Sequence, residues 1–371
     1  MNGFASAGST AREWLDRVLG TGDRRYTVME VCGGQTHALL AHGLDALLAP
    51  RVELLHGPGC PVCVTPAHVL DRARALARIP GVALCTFGDM LRVPGRDGDL
   101  FGARARGGDV RVVYSPLDAL ALAEAAPGRE VVFLGVGFET TAPTVAAAVR
   151  LAARRRIRNF SVLTSHVRVP PALEAILGDE HTRVEGLLAA GHVCTVMGVS
   201  EYRPLVERFR VPIVVTGFEP LDLLEGTARA VAQLASGRAE LEIQYRRAVR
   251  PEGNPAARQV LEEVFEVADV PWRGIGVLPG GGWVLRRSYR DFDAWARLAG
   301  GAALPSDPAE AEGEGCQAGR VLRGVLRPDR CPHFGRRCTP ATPLGAPMVS
   351  AEGACAAYFR YRPAAGAGDR P

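Results

Sequence analysis

The stretch EVVFLGVGFETTAPTVAAAVRLAARRR, residues 130–156, decides the fold, because its hydrophobic pattern changes within a single turn. It begins with a continuous apolar run rich in valine, which is typical of a strand that is buried on both faces. After Glu139 and two threonines, apolar residues recur at helical spacing. The stretch therefore predicts a buried β-strand that leads directly into an α-helix.

The same change of pattern recurs between about residue 26 and residue 219. The runs that predict strands are short and rich in β-branched residues, namely YTVMEVC, VRVVYS, EVVFLGVG, FSVLTSH, VCTVMG and PIVVTG. Helical patterns follow in PLDALALAEAA, TVAAAVRLAARRR, SEYRPLVERF and PLDLLEGTARAVAQLA. Because continuous apolar strands separated by helices are typical of parallel sheets covered on both faces, we predict an α/β protein.

A short repeat divides this region into two parts. Gly-Phe-Glu follows a predicted strand at residues 137–139 and again at residues 217–219, each time at a strand-to-helix turn. We therefore predict two related parallel-sheet modules, at residues 25–125 and 126–240, and a third, C-terminal module at residues 241–371. From residue 300 onward glycine, proline and cysteine dominate, so this tail is either a loose linker or a region held together by something other than a core.

The composition excludes several classes of function. With 44 basic and 40 acidic residues, the net charge of +4 is too balanced to indicate a nucleic-acid or membrane partner. The N-terminal residues do not read as a secretory signal and the longest apolar run is interrupted, so we predict a cytoplasmic protein without a transmembrane span. Because cytoplasmic thiols are kept reduced, the nine cysteines favour metal binding or redox chemistry over a disulfide framework.

Reactive residues cluster just after the predicted strands. Ligands of open parallel sheets bind beyond the carboxyl ends of the strands, where these residues are expected to meet. They are Cys32 with two following glycines, the segment at residues 57–63, Asp89, the two Gly-Phe-Glu turns and His166. Any one of them is more simply explained as a turn residue or a satisfied polar group, but the whole set indicates one functional face.

Cys32 is predicted to be a nucleophile or a metal ligand. A cysteine at the end of a strand, followed by Gly33 and Gly34, lies near the backbone N–H groups of a helix N-terminus, which lower the pKa of a thiol. A buried, inert cysteine is the alternative. The functional interpretation is favoured because Gln35, Thr36 and His37 add polar groups within one turn.

Cys60 and Cys63 have a spacing that suits either a metal site or a disulfide. A structural zinc site usually needs a second Cys or His pair, and neither His56 nor Cys85 supplies a regular spacing. A redox CxxC pair lies at the start of a helix, and Pro66 followed by AHVLDRARALAR predicts a helix there. The redox interpretation is therefore favoured over structural zinc.

The C-terminal cysteines form a second set, at Cys316, Cys331, Cys338 and Cys355. Four thiols in a region rich in glycine and proline fit a tetrahedral zinc ion or a four-iron cluster, and their spacing does not separate the two. Cys85 and Cys194 lie within apolar runs that predict strands, and we expect both to be core residues.

Taken in order, these motifs resemble those of the HypD family of hydrogenase formation proteins. The resemblance extends from about residue 29 to residue 362. It is carried by MEVCGGQTHAL, HGPGCPVCVTP, TFGDMLRVPG, YSPLDAL, GFETTAP, GHVCTVMG, GFEPLDLL and CTPATPLGAPMVSAEGACAAYFRYR.

The resemblance implies a fold of three α/β modules around a central cleft, the third of which carries a [4Fe-4S] cluster. It implies a role in building the iron centre of nickel–iron hydrogenases. With a small HypC-type chaperone, such a protein holds one Fe(II) ion while two cyanides and one carbon monoxide are attached. Cyanide comes from a HypE-type donor as a thiocyanate. We thus expect a redox-active assembly scaffold rather than a conventional turnover enzyme.

The resemblance also assigns roles to residues. Cys32 corresponds to the cysteine that helps hold the iron under assembly, and Cys60 with Cys63 to a thiol–disulfide pair beside it. The polar cleft motif corresponds to Glu139, Thr140 and Thr141, and the cluster ligands to Cys316, Cys331, Cys338 and Cys355. Gln35 stands where the family often has histidine, which leaves the role of that position open.

Two other functions compete with this one. A dithiol oxidoreductase with a structural zinc tail fits the cysteines equally well from spacing alone. A nucleotide-binding enzyme is excluded on motif grounds, because the chain has no GxxxxGK[ST] and no GxGxxG opening a first βα unit.

Overall fold

Strands and helices alternate through most of the chain in the computed structural model, which describes residues 3–298 and 315–362. The strands are β1 (Tyr26–Glu30), β2 (Val52–His56), β3 (Val82–Thr86), β4 (Val110–Val112), β5 (Glu130–Gly137), β6 (Phe160–Val167), β7 (Gly186–Ala190), β8 (Ile213–Thr216), β9 (Leu241–Ile243), β10 (Phe265–Trp272) and β11 (Gly276–Leu285).

The helices connect these strands and cover the sheets. They are α1 (Gly3–Leu19), α2 (Gly33–Ala41), α3 (Leu44–Leu48), α4 (Pro61–Val64), α5 (Ala67–Ala77), α6 (Leu100–Ala105), α7 (Pro116–Ala125), α8 (Ala142–Arg155), α9 (Val169–Leu177), α10 (Gly191–Met197), α11 (Arg203–Phe209), α12 (Pro220–Ala235), α13 (Pro255–Val264), α14 (Ala294–Leu298), α15 (Ala318–Leu322) and α16 (Ala354–Tyr361). Short 3-10 helices lie at Gly88–Arg92, Ser200–Tyr202, Arg287–Phe292, Pro328–Arg330 and Ala346–Met348.

Two sheets organise the fold. The first has five strands in the order β2-β1-β7-β8-β9, all parallel. The second has six, in the order β10-β11-β6-β5-β3-β4. Strands β3 to β6 are parallel to one another, and β11 is antiparallel to both of its neighbours, β6 and β10. The predicted α/β class, with two modules of mainly parallel sheet, is confirmed.

The two sheets interleave along the chain. Residues 25–125 supply β1 and β2 to the first sheet and β3 and β4 to the second, and residues 126–240 also contribute strands to both. The region after residue 240 adds β9 to the first sheet and β10 and β11 to the second. Hydrophobic periodicity shows that a strand is buried but not which sheet it joins. The domain borders themselves stay a prediction, and residues 299–314 and 363–371 of the third module lie outside the described residues.

One predicted strand is wrong. The run VCTVMG lies in helix α10, and the strand before it is β7, with the sequence GLLAA. Short apolar runs do not distinguish a buried strand from a buried helix. Cys194 is nevertheless fully buried, as is Cys85 on β3, so both lie in the core as predicted.

The turn after β5 explains why that unit folds as it does. Every residue of β5 after Glu130 is buried, and a proline in the first turn of α8 suits a helix start. A Cβ atom at Gly137 would lie 1.5 Å from Oγ1 of Thr141, so only glycine allows this threonine to fold back against the strand end. The Thr141 hydroxyl donates a hydrogen bond to the Phe138 carbonyl at 3.2 Å.

The largest apolar core lies between the sheets. It combines Met29 and Leu187 of the first sheet with Val167 and Trp272 of the second, and it includes the three cysteines of the predicted cleft. Across the described ranges, no helix has both the length and the apolar character required to span a bilayer.

Candidate functional site

Cys32 lies where β1 ends and α2 begins, directly against the loop that carries Cys60. The Gly33 N–H donates a hydrogen bond to the Gly59 carbonyl at 3.0 Å. A Cβ atom at Gly59 would lie 2.2 Å from the Cys32 backbone nitrogen, so glycine is needed for this approach. β1 and β2 are parallel neighbours, which places both loops at the same sheet edge. The structure thus brings the two predicted cysteine motifs together.

Cys60 and Cys63 are joined by a disulfide. Cys60 is the N-cap of the short helix α4, and its sulfur accepts a hydrogen bond from the Cys63 N–H at 3.2 Å. Helix α5 follows after Pro66, as the sequence predicts. Both cysteines are buried. Their role in thiol–disulfide chemistry stays a prediction, but the geometry allows the two sulfurs to bond.

The Cys32 thiol is not acidified by the helix that it caps, contrary to expectation. Burial raises the pKa of Cys32 to about 12, and the nearby Glu30 and Glu352 carboxylates act in the same direction. The backbone N–H groups of Gln35 and Gly34 oppose this rise but do not outweigh it. Because a bound metal ion displaces a thiol proton, Cys32 suits a metal ligand better than a free nucleophile in this environment.

His192 is a neighbour of Cys32 that the sequence reasoning missed. Its Nδ1 atom lies 3.8 Å from the Cys32 sulfur, and its ring lies 5.0 Å from that of Phe218. Burial lowers the pKa of His192 to about 4, so the imidazole is neutral at physiological pH and can donate or accept at the thiol. The signal was the Gly-His pair after GLLAA. It was lost because the strand was placed after His192 rather than before it.

Gln35 is buried beside this pair. Its amide nitrogen donates to Thr216 Oγ1 at 2.6 Å and to the Ala189 carbonyl at 3.3 Å. These contacts link α2 to the ends of β7 and β8. In this chain Gln35 therefore joins helix α2 to two strands of the first sheet.

The C-terminal segment also reaches the Cys32 turn. A Cβ atom at Gly33 would lie 2.4 Å from the Glu352 carbonyl oxygen, so the backbone at Glu352 packs directly on α2. The neighbouring Ser350 hydroxyl donates to a carboxylate oxygen of Asp89 at 3.4 Å. Asp89, predicted on the functional face, thus meets the C-terminal segment, and Glu352 is a second neighbour that no sequence pattern indicated.

Glu139 lies at the end of β5 in a buried position. One carboxylate oxygen accepts a hydrogen bond from the Val169 N–H at 2.8 Å, while the other has no hydrogen-bond partner. Burial raises the pKa of Glu139 to about 7. Burial raises the pKa values of Cys194 and Tyr202, and the nearby Glu139 carboxylate acts in the same direction. Both residues belong to the same core as Cys60 and Cys63.

The rest of the predicted polar motif is more exposed. Thr140 and Thr141 are half-buried, and Thr141 closes the turn against the strand end. At the related turn, Glu219 caps α12 and is largely exposed, unlike Glu139. His166 on β6 is buried and bonds Thr164 Oγ1 at 2.8 Å, so it is a core histidine.

Replacing Glu139 with glutamine should remove a pH dependence of stability. The folded protein keeps the Glu139 proton up to about pH 7, whereas the ordinary pKa is 4.5. The unfolded state therefore binds fewer protons between these values, and the free energy of unfolding falls as pH rises. Between about pH 4.5 and pH 7, we expect the free energy of unfolding of the wild type to fall by about 3 kcal/mol relative to that of Glu139→Gln. Chemical denaturation at several pH values measures this difference. Glu219→Gln, at the exposed related turn, is the control and should follow the wild type.

The four C-terminal cysteines line a single cavity. Cys316 precedes α15, Cys331 follows a 3-10 turn, Cys338 ends a tight loop and Cys355 lies in the first turn of α16. Burial, together with the charges of the other three thiols, raises the pKa of Cys355 well above its ordinary value. The remaining lining is mostly apolar, with Phe334, Leu344 and Met348, beside His333.

This cavity suits a thiolate-bound metal centre. Four cysteines are the donor set of both [4Fe-4S] clusters and structural zinc. The Leu344 N–H already donates to the Cys338 sulfur at 3.4 Å, which is the kind of contact that stabilises a thiolate ligand. In residues 3–298 and 315–362, no three His, Cys, Asp or Glu side chains have the arrangement for a single metal ion. The sulfurs therefore surround the cavity without converging on one point.

Comparison with known proteins supports the sequence resemblance. The HypD family model, described as "Hydrogenase formation hypA family", matches residues 9–362. The chain is 45% identical to the Hydrogenase maturation factor HypD of Rhodobacter capsulatus, over 93% of this chain and 92% of that protein. It is 45% identical to the proteins of the same name from Escherichia coli (strain K12), over 95% and 93%, and from Azotobacter vinelandii, over 95% and 94%.

Proposed function

Since this chain belongs to the HypD family of hydrogenase formation proteins and is a hydrogenase maturation factor, we propose that it is the scaffold on which a hydrogenase iron receives its diatomic ligands. The observation that carries the proposal is the packing of Cys32 against the Cys60 loop, through the Gly33 N–H and the Gly59 carbonyl. A metal-binding thiol and a redox-active pair thus share one buried site.

In this proposal, Cys32 binds the iron as a thiolate. Iron that carries cyanide and carbon monoxide is electron-rich, and a soft thiolate is a suitable donor. The raised pKa of the Cys32 thiol means that the site holds a proton until the metal arrives and replaces it. The neutral His192 imidazole, 3.8 Å from the sulfur, is placed to orient that thiol or to contact the metal.

Cys60 and Cys63 supply the electrons that cyanide transfer requires. Cleavage of a thiocyanate S–C bond into a thiolate and cyanide consumes two electrons. Oxidation of the Cys60/Cys63 dithiol to the observed disulfide releases two electrons and two protons. One proton returns to the donor thiolate and the other leaves to solvent, while cyanide binds iron, so the step balances.

The C-terminal cavity would hold a [4Fe-4S] cluster through Cys316, Cys331, Cys338 and Cys355. Such a cluster supplies single electrons at low potential. We propose that a small HypC-type chaperone shares the iron and that a HypE-type protein donates cyanide. This work belongs in the cytoplasm, where a disulfide can be reduced again.

Infrared spectroscopy tests this function. We expect the protein, purified anaerobically with its small chaperone and supplied with iron and the cyanide donor, to show cyanide and carbonyl stretching bands. Omitting the cyanide donor is the control and should remove the cyanide bands. A colourless protein with one zinc and no bands would instead favour the dithiol oxidoreductase with a structural zinc site.

A further inference from the structure

A buried chain of three side chains connects helix α16 to the Cys32 turn. The Glu30 carboxylate lies 2.7 Å from Nδ1 of His56, and Nε2 of the same ring lies 3.0 Å from the Tyr358 hydroxyl. Glu30 and His56 are almost fully buried, and Tyr358 is 2% exposed. The Tyr358 and His56 rings also pack edge to face, with centroids 5.2 Å apart. Because both ring nitrogens of His56 are engaged, the orientation of the imidazole is fixed.

The Glu30 carboxylate holds the residues at the start of helix α2. Cys32 is the N-cap of α2, yet its side chain makes no capping hydrogen bond. Instead, one Glu30 oxygen accepts from the Cys32 N–H at 2.9 Å, and the other accepts from the Thr36 hydroxyl. The turn is therefore held from two residues upstream, and the Cys32 sulfur faces His192.

A buried carboxylate of this kind depends on all its partners. Removing one partner from a buried hydrogen-bonded group leaves the desolvation cost of that group uncompensated. The partners of Glu30 come from α2 and from the end of β2, and through His56 from α16. The geometry of the Cys32 turn thus depends on where α16 lies.

Helix α16 also carries a ligand of the proposed cluster. Cys355 lies one turn before Tyr358, so the same short helix faces the four-cysteine cavity and the buried chain. We propose that Glu30, His56 and Tyr358 are positioning residues that couple the Cys32 turn to the docking of the cluster-bearing helix. This inference rests on the proposed function for the identity of the two sites, but its contacts do not depend on it.

The test is the rate of Cys32 alkylation by iodoacetamide, followed by peptide mass spectrometry, in the anaerobically purified protein. Tyr358→Phe keeps the ring and deletes the hydroxyl. We expect it to raise the Cys32 alkylation rate about tenfold, because His56 loses a buried partner and the turn opens more often. The absorbance of the cluster should not change.

Tyr361→Phe is the matched control. The Tyr361 hydroxyl lies 3.1 Å from Nε2 of His37, and the rings pack edge to face at 5.1 Å, so α16 loses a similar tyrosine–histidine bond. That pair does not reach Glu30, so Cys32 should react at the wild-type rate. Equal rates for the two tyrosine variants, whether both unchanged or both faster, would overturn the role of Glu30, His56 and Tyr358.

A second variant distinguishes loss of this specific coupling from general destabilisation of the protein. Glu30→Gln keeps the shape of the side chain, and combining it with Tyr358→Phe gives a double-mutant cycle. The two changes should be non-additive in alkylation rate, whereas Glu30→Gln and Tyr361→Phe should be additive. Additivity in both cycles would contradict the proposal. Failure of the wild type to restore hydrogenase maturation would instead count against the proposed function and leave this comparison intact.

Discussion

Replacement of Cys32 by alanine is expected to abolish hydrogenase maturation while the protein keeps the brown colour of its cluster. Cys32 is the only thiol beside His192 in the described contacts, whereas the four C-terminal cysteines line a separate cavity. Replacing a residue that only hydrogen-bonds to a metal ligand typically costs about 10- to 100-fold in metal affinity or activity. Replacing the ligand itself should therefore cost more. Maturation is measured as hydrogenase activity in a strain that lacks the native factor.

Cys85→Ala is the control for this experiment. Cys85 is also fully buried, but it lies in a different core cluster from Cys32, packed with Phe133 and Val162. This variant should support maturation and keep its colour. Loss of colour in Cys32→Ala would mean that the cluster ligands are wrongly assigned. Normal hydrogenase maturation with Cys32→Ala would show that Cys32 is not a ligand of the iron.

The second large effect is expected from Cys355→Ala. This change deletes one of the four sulfurs, and it does so in the helix that docks on α2. The protein should lose its broad absorbance near 400 nm and about four irons per chain. Thermal stability should fall as well, because metal binding free energy contributes to folding in a region with little core of its own.

Cys32→Ala serves as the reciprocal control here, since its cluster should be intact. Iron analysis, the visible spectrum and a thermal melt are compared for the two variants and the wild type. Iron content and colour that survive in Cys355→Ala would exclude this cysteine as a ligand. If the wild type is colourless and contains one zinc ion per chain, the four cysteines bind zinc and not a [4Fe-4S] cluster.

The sequence predicted the part of the site that depends on local pattern. The apolar runs before Cys32, Glu139 and His166 were recognised as strands, and parallel pairing of β1 with β2 brings Cys32 to the Cys60 loop. The thiol pKa of Cys32 was predicted with the wrong sign, because a sequence shows the helix that follows a residue but not its burial. His192 was missed because the strand was predicted to begin at Val193, seven residues after the start of β7.

Sequence by itself determined the α/β class, the family and the two groups of cysteines, because periodicity and motif spacing are properties of short segments. Only the tertiary structure decided which strands share a sheet and which distant residues contact one another. The contact between His56 and Tyr358 joins residues 302 positions apart, and the one between Cys32 and His192 joins residues 160 apart. Such contacts arise from the packing of whole elements, and no local pattern encodes them.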